Sequence, residues 1–246
     1  VTINSVSLLK KLPVIVWVSG FYDDNGDGAP DDQPWVDLLE AEGYKVDYTP
    51  GNIWIDLDDA KIATLNDADL IIVSRNSNSG DFDDGEEPIQ WNAVTTPLIL
   101  SSTHIIRSSR WKWLDTTSLS NLAPAAGMEI LAVDHPVLAG VASPVVAIDA
   151  AVGPSTLPNV VEAGNGTVLS KVADADVSWI IEWDTGVEFY DGAGQFAGGP
   201  RVFFGAGTQE GTHDVSGAAI GRGEMNLTDA GLAIFLDMVS LLVSGN

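Results

Sequence analysis

Four short apolar runs, each ending in a polar turn, constrain this chain most. They are Pro13–Ser19, Ala68–Ser74, Pro97–Ser101 and Arg201–Gly205. Runs of this length, bounded by Gly and polar residues, read as strands buried on both faces of a sheet. Helical patterns lie between them: Pro34–Gly43, Asp58–Leu65 and Glu86–Val94. Pro34 suits a first helical turn, Gly43 a C-terminal stop, and Asp58 or Asp59 an N-cap. A short alternating strand, Tyr44–Tyr48, follows the first helix. This β-α-β-α-β-α-β order predicts an α/β fold built on a doubly wound, mainly parallel sheet with helices on both faces.

The second half is less regular. Met128–Val133, Val145–Ile148 and Val160–Val161 read as short strands, and Thr167–Ala173 and Ser178–Trp183 as a pair. These are extra, mostly antiparallel additions. Gly192–Pro200 reads as a mobile Gly-rich loop, and Thr228–Val243 as an apolar closing helix that packs deeply, with Thr228 as N-cap and Gly245 past its end. No internal repeat or low-complexity linker divides residues 1–246, which read as a single domain.

With 45% apolar residues and eight tryptophans, the chain can bury a large core. Its formal charge of −24 argues against nucleic acid or an anionic membrane surface as partner, and no apolar run reaches spanning length. The absence of cysteine excludes disulfides, thiolate catalysis and Cys-ligated metal. The acidity and the missing cysteine are the basis for expecting a bacterial secreted or cell-surface protein. Val1–Lys11 show no signal-peptide pattern.

In a parallel sheet, ligands bind at the carboxyl edge of the strands, so the turns after the buried runs carry the candidate site. After the first run, Asp23, Asn25, Asp27 and Gly28 have the spacing of a calcium loop, with Asp31 or Asp32 available to complete an oxygen shell. The twelve-residue EF-hand pattern fails, since its last position is Pro34. The alternative is a solvated acidic turn, with Asp31 and Asp32 complementing the helix dipole. After the Ala68–Ser74 run, Arg75, Asn76 and Asn78 are candidates to grip a polar ligand, although for Arg75 the favoured reading is that it ties two loops together by ion pairs. After Pro97–Ser101, His104, Arg107, Arg110 and Trp111 form a basic-aromatic stretch. Trp111, Trp113 or Trp91 could stack on a sugar ring, or all three could be core. Glu210, His213 and Asp214 follow the last run and could do acid–base work. No HExxH, P-loop, GxSxG or dinucleotide fingerprint is present.

The order of parts resembles the glutamine amidotransferase-like fold, and especially its ThuA-like (trehalose-utilisation) branch. The resemblance is carried by the first strand and its loop, by Ala68–Arg75, by Asp134-His135-Pro136-Val137-Leu138-Ala139-Gly140-Val141, and by Arg201–Gly207 leading to the terminal helix. It implies a flavodoxin-like topology, a pocket at the carboxyl edge and a lean towards carbohydrate. In amidotransferases the nucleophile is a cysteine on a tight elbow. Here Ser102 stands at that place, His104 stands where the elbow needs glycine, and the distal His-Pro-Glu is missing. The amidotransferase mechanism is therefore not expected.

These readings converge on a non-amidotransferase module that binds a small polar molecule or glycan, with calcium ordering the first loop. One rival is a polysaccharide-active hydrolase or lyase using Asp23, Asp27, Glu210 or His213, with Arg75 and Arg107 positioning substrate. Another is a self-assembling surface-layer or filament subunit.

Overall fold

Apolar runs flanked by Gly and Pro settle into short strands in a computed structural model that describes residues 11–51, 53–123, 125–212 and 217–245. The first half alternates β1 (Val14–Val18), α1 (Gln33–Ala41), β2 (Lys45–Tyr48), α2 (Asp59–Asp67), β3 (Leu70–Val73), α3 (Glu87–Ala93) and β4 (Leu98–Leu100). The second half supplies β5 (Leu119–Asn121), β6 (Met128–Ile130), β7 (Thr156–Pro158), β8 (Thr167–Val172), β9 (Ser178–Trp183), β10 (Arg201–Phe204), β11 (Gly211–Thr212) and β12 (Ala219–Ile220). It ends in α4 (Asp229–Ser244).

One eight-stranded sheet has the order β2-β1-β3-β4-β10-β9-β8-β6. The pairings from β2 through β10 are parallel, and those from β10 to β6 are antiparallel. The fold is therefore mixed α/β, with a mainly parallel sheet extended by antiparallel strands. Because β1, β3, β4 and β10 run the same way, the turns that follow them share one edge.

Side-chain chemistry explains the local choices. Asp58 caps α2 by accepting the Lys61 N–H at 2.8 Å. Thr228 caps α4, and Gly245 closes it in the left-handed region with φ 66°. The helix buries one stripe, Gly231, Ile234, Phe235, Met238 and Val239, whereas Leu232, Leu236 and Leu241 are half-buried. This corrects the expectation of deep burial all round: a 3.6-residue period brings one face to the sheet.

Two aromatic groups fill the core. Trp17 on β1 stacks on Trp35 of α1, which meets Phe235 of α4, and Phe235 meets Phe204 of β10. Trp91 of α3 stacks on Trp111 at 5.1 Å, and the series continues through Trp113 to Phe189 and Trp183. Truncating one such ring to alanine costs about 3–5 kcal/mol.

The second half departs from expectation in several places. Val145 and Ile148 form only isolated bridges, to Met128 and Leu227. Val160 lies outside any strand, its carbonyl taken by Ser178. Met128–Val133 is a strand only to Ile130, after which the Leu131 and Ala132 N–H groups both turn to the Leu169 carbonyl. The strand β7 was unforeseen and pairs with β5. The Gly192–Pro200 loop, expected to be mobile, packs in part against the core, while Gly192, Gly194 and Phe196 are exposed. Ala193 and Ala197 are buried, and a Cβ on Gly198 would lie 2.6 Å from the Ala93 carbonyl carbon.

Arg201 anchors this region. Its guanidinium is fully buried and donates to the carbonyls of Thr96 (3.0 Å), Asn92 (3.1 Å) and Val94. These carbonyls cluster at the C-terminal end of α3, where a cation suits the helix dipole. Burial lowers its pKa to about 9.

Candidate functional site at the carboxyl edge

The turns after β1, β3, β4 and β10 meet, and hydrogen bonds join them. The Gly20 N–H donates to the Asn76 carbonyl, and the Asn76 amide donates to the Phe21 carbonyl at 3.0 Å. Arg107 donates to Ser79 Oγ at 3.2 Å and, through Nε, to the His104 carbonyl at 2.8 Å. Arg110 pairs with Asp83 at 3.0 Å. The acidic first loop and the basic segment after β4 thus lie on the same rim.

At the centre, Arg75 Nη2 donates to Glu210 Oε2 at 2.7 Å. The arginine side chain is 3% exposed, while Glu210 is 44% exposed. Arg222 approaches the other carboxylate oxygen, Oε1, at 3.5 Å, approaches Asp24 Oδ2 at 3.6 Å, and lies 4.4 Å over the Phe21 ring. Partial burial pushes the Glu210 carboxyl up, but Arg75 and Arg222 outweigh it and hold it below the usual range. Burial lowers the Arg75 pKa, against the pull of Glu210.

Two glycines permit this closeness. Gly223 has φ 77°, and a Cβ there would sit 2.5 Å from the Asn76 nitrogen. Gly207 has φ 83°, with Arg75 Cβ 2.9 Å from the same notional position. Thr208 Oγ1 donates to the Gly221 carbonyl at 2.6 Å and accepts the Glu224 N–H at 2.9 Å, so the 205–210 and 221–226 turns form one unit.

His104 stands beside this pair. Burial is the main cause that lowers its pKa to about 4, reinforced by Arg75, Arg107 and Arg222 and opposed by Glu210. The imidazole is neutral at pH 7. Ser102, at the place of an amidotransferase nucleophile, is fully buried, and none of residues 101–105 has a positive φ. There is no strained elbow and no cysteine.

The acidic loop divides into an outer and an inner part. Outside, Asp23 accepts the N–H groups of Gly26 (2.7 Å), Asp27 (3.0 Å) and Gly28 (2.8 Å). Asn25 accepts from Asp27, and Asp27 from Ala29. Inside, Asp32 is fully buried and accepts Ser74 Oγ at 2.6 Å and Asn76 Nδ2 at 3.2 Å. Burial pushes its carboxyl up to about 7, against those hydrogen bonds. Asp31 is 6% exposed and accepts the Asp24 N–H at 2.7 Å. Burial raises it to about 6; that bond pulls it down, and Glu224 pushes it further up. Asp32 thus serves β3 rather than the outer loop. Among the described residues no three His, Asp or Glu side chains are grouped to hold one metal ion.

The aromatic candidates are corrected. Trp91 and Trp111 are fully buried, with Trp111 Nε1 bonded to the Phe82 carbonyl at 2.8 Å, so neither presents a face to a ligand. Their apolar area is satisfied within the core. Asn78 is exposed and bonds Asp81. His213 and Asp214 lie outside the described residues. Sequence reasoning missed Arg222 and Glu224. Their signal was a Gly-Arg-Gly-Glu run, a charged pair set between glycines.

The buried polar atoms without a hydrogen-bond partner among the described residues gather here. Six of twelve belong to this edge: Asp31 Oδ1, Arg75 Nε, Asn76 Oδ1, Ser102 Oγ, His104 Nδ1 and Arg222 Nε. Polar groups without a partner at one rim need bound water or another polar molecule to satisfy them.

No protein-family model matches this chain. No curated protein matches it by sequence. Solved structures do. A ThuA-like protein from Parabacteroides merdae superposes with a TM-score of 0.54 at 10% identity, over 96% of this chain and 91% of that one. The chain has the ThuA-like fold. A second ThuA-like protein, from Bacteroides uniformis, gives 0.55 at 11% identity over 96% and 94%. A cytoplasmic protein of Salmonella typhimurium gives 0.55 at 12% identity, over 94% and 98%. That last comparison corrects the expected secreted or cell-surface location, because acidity and lack of cysteine are compatible with the cytoplasm as well. Among the described residues, no helix is long and apolar enough to cross a membrane.

Proposed function

We propose that this ThuA-like chain is a binding module without amidotransferase activity, and that its ligand is a small polar molecule, sugar-like in its hydroxyl groups, held at the carboxyl edge of the sheet. One observation carries this reading: around the Arg75–Glu210 pair gather five buried polar atoms that have neither a hydrogen-bond nor an ion-pair partner among the described residues, namely Asp31 Oδ1, Arg75 Nε, Asn76 Oδ1, Ser102 Oγ and His104 Nδ1. Such groups cost stability when nothing binds them, so their concentration at the carboxyl edge fits a ligand site. The strand order β2-β1-β3-β4-β10 supports a flavodoxin-like arrangement, in which ligands sit at this same edge.

Calcium is the proposed orderer of the outer loop, through Asp23, Asn25 and Asp27. The loop already curls three backbone N–H groups onto Asp23, and a cation beside it would relieve repulsion among neighbouring carboxylates. The test of the module is calorimetric titration with monosaccharides and short oligosaccharides. Saturable binding that is lost in Arg75→Met, while Trp113→Phe retains it, supports the reading. Turnover of a glycan, lost in Glu210→Gln, would favour a hydrolase instead.

A further inference from the structure

We infer that the ligand carries a carboxylate, and that Glu210 holds the ligand's place between Arg75 and Arg222 until the ligand displaces it. The inference rests on the reading of this edge as a ligand site and names the chemistry of what binds there.

The two partners of the ion pair are built differently. Arg75 is fixed: its side chain is buried, it follows a buried strand, Gly207 closes against its Cβ, and Gly223 closes against the next residue, Asn76. Glu210 is half in solvent at the end of a turn, just before the exposed strand β11. A buried cation is expensive without an anion, so the half-exposed Glu210 side chain can give up its place only to another anion that takes over the pair. A second arginine reaches the same carboxylate from the other side, through Nε at 3.5 Å. Two guanidinium groups around one carboxylate is more than a single structural pair needs, and Arg75 Nε has no partner among the described residues.

Charge decides the class of ligand. Exchanging the Glu210 carboxylate for another monocarboxylate leaves the charge between the two arginines unchanged, with Glu210 turned into screening solvent. A phosphate dianion would add negative charge beside Asp24, Asp31 and Glu224, of which Asp24 already lies 3.6 Å from Arg222. Beside the pair stands His104, a neutral imidazole with an unpartnered ring nitrogen, which suits a hydroxyl. An acid sugar or hydroxy acid combines both groups. The overall charge of −24 does not forbid this, because exposed charges beyond about 8–10 Å are screened at physiological salt.

The experiment uses the whole chain and three probes: glucuronate, methyl glucoside and acetate, at constant ionic strength. Binding is followed by calorimetry and by the arginine Nε–Hε and His104 resonances. Glucuronate should bind at least ten-fold more tightly than methyl glucoside, and Glu210→Gln should tighten glucuronate at least five-fold by removing the competitor. In Glu210→Ala, acetate but not chloride should shift the Arg75 and Arg222 signals saturably. Equal affinity for glucuronate and methyl glucoside would overturn the carboxylate while leaving a polar-ligand site standing. Unchanged or weaker glucuronate binding in Glu210→Gln, or no acetate effect in Glu210→Ala, would overturn the displacement. If neither sugar binds, the ligand-site reading falls with the inference.

Discussion

Arg75 and Glu210, 135 residues apart in sequence, meet at 2.7 Å across the rim where β3 and β10 end. The contact ties the third strand of the first half to the last strand of the sheet. It also sets the electrostatics of everything near it.

His104 reports on that electrostatics. Its depressed pKa, about 4 against the ordinary 6.5, has burial as first cause and the nearby arginines as second. Imidazole NMR should show a neutral ring at pH 5.5. Arg222→Gln should move the midpoint upward, since it removes a repelling cation. A midpoint at 6.5 in the unmodified chain would contradict the packing around Arg75.

Asp32 gives stability a pH dependence of opposite sign to the usual carboxylate. Well below pH 4 the group is protonated in both folded and unfolded chains. Between about 4 and 7 the folded chain keeps the proton and the unfolded chain releases it, so stability falls as pH rises; above 7 the effect is complete. Relative to Asp32→Asn, which does not titrate, the unmodified chain should lose about 4 kcal/mol of unfolding free energy from pH 4 to pH 7.5. Urea melts at both pH values measure it. Parallel curves would show that Asp32 ionises freely.

Gly223→Ala should be costly. The position combines φ 77° with a contact of 2.5 Å to backbone, and such strain is worth roughly 1–3 kcal/mol before any clash is counted. Chemical denaturation should show the loss, and the Arg222 resonances should move. Gly186→Ala, with φ 82° but open space around it, should cost less.

Calcium should raise the melting temperature. At ten times its dissociation constant the ion adds about 1.4 kcal/mol by mass action, or about 3–5 °C for a chain of this size. Asp27→Ala should abolish the shift while leaving the calcium-free melting temperature nearly unchanged, because Asp27 is exposed. An equal shift in both proteins would remove calcium from the account.

Much of the fold was legible because local rules agreed. The four apolar runs, Pro34, Asp58, Thr228 and Gly245 each do in the structure what their chemistry suggests. The second half was harder. Its strands are only two or three residues long in β6, β7, β11 and β12, and long-range pairing rather than local pattern creates them. At the site, Arg75 and Glu210 were visible as rare charges next to buried strands. Arg222 was not, because its turn joins the rim only after β10 has crossed back beside β4. The tryptophans misled for a physical reason: an indole that stacks on a sugar and one that fills a core look alike in sequence. Burial alone separates them.

The most direct test is a crystal structure of the chain at saturating glucuronate. The account predicts the ligand carboxylate between Arg75 and Arg222, with Glu210 turned into solvent. An intact Arg75–Glu210 pair at 2.7 Å, with glucuronate bound elsewhere or not at all, would contradict it.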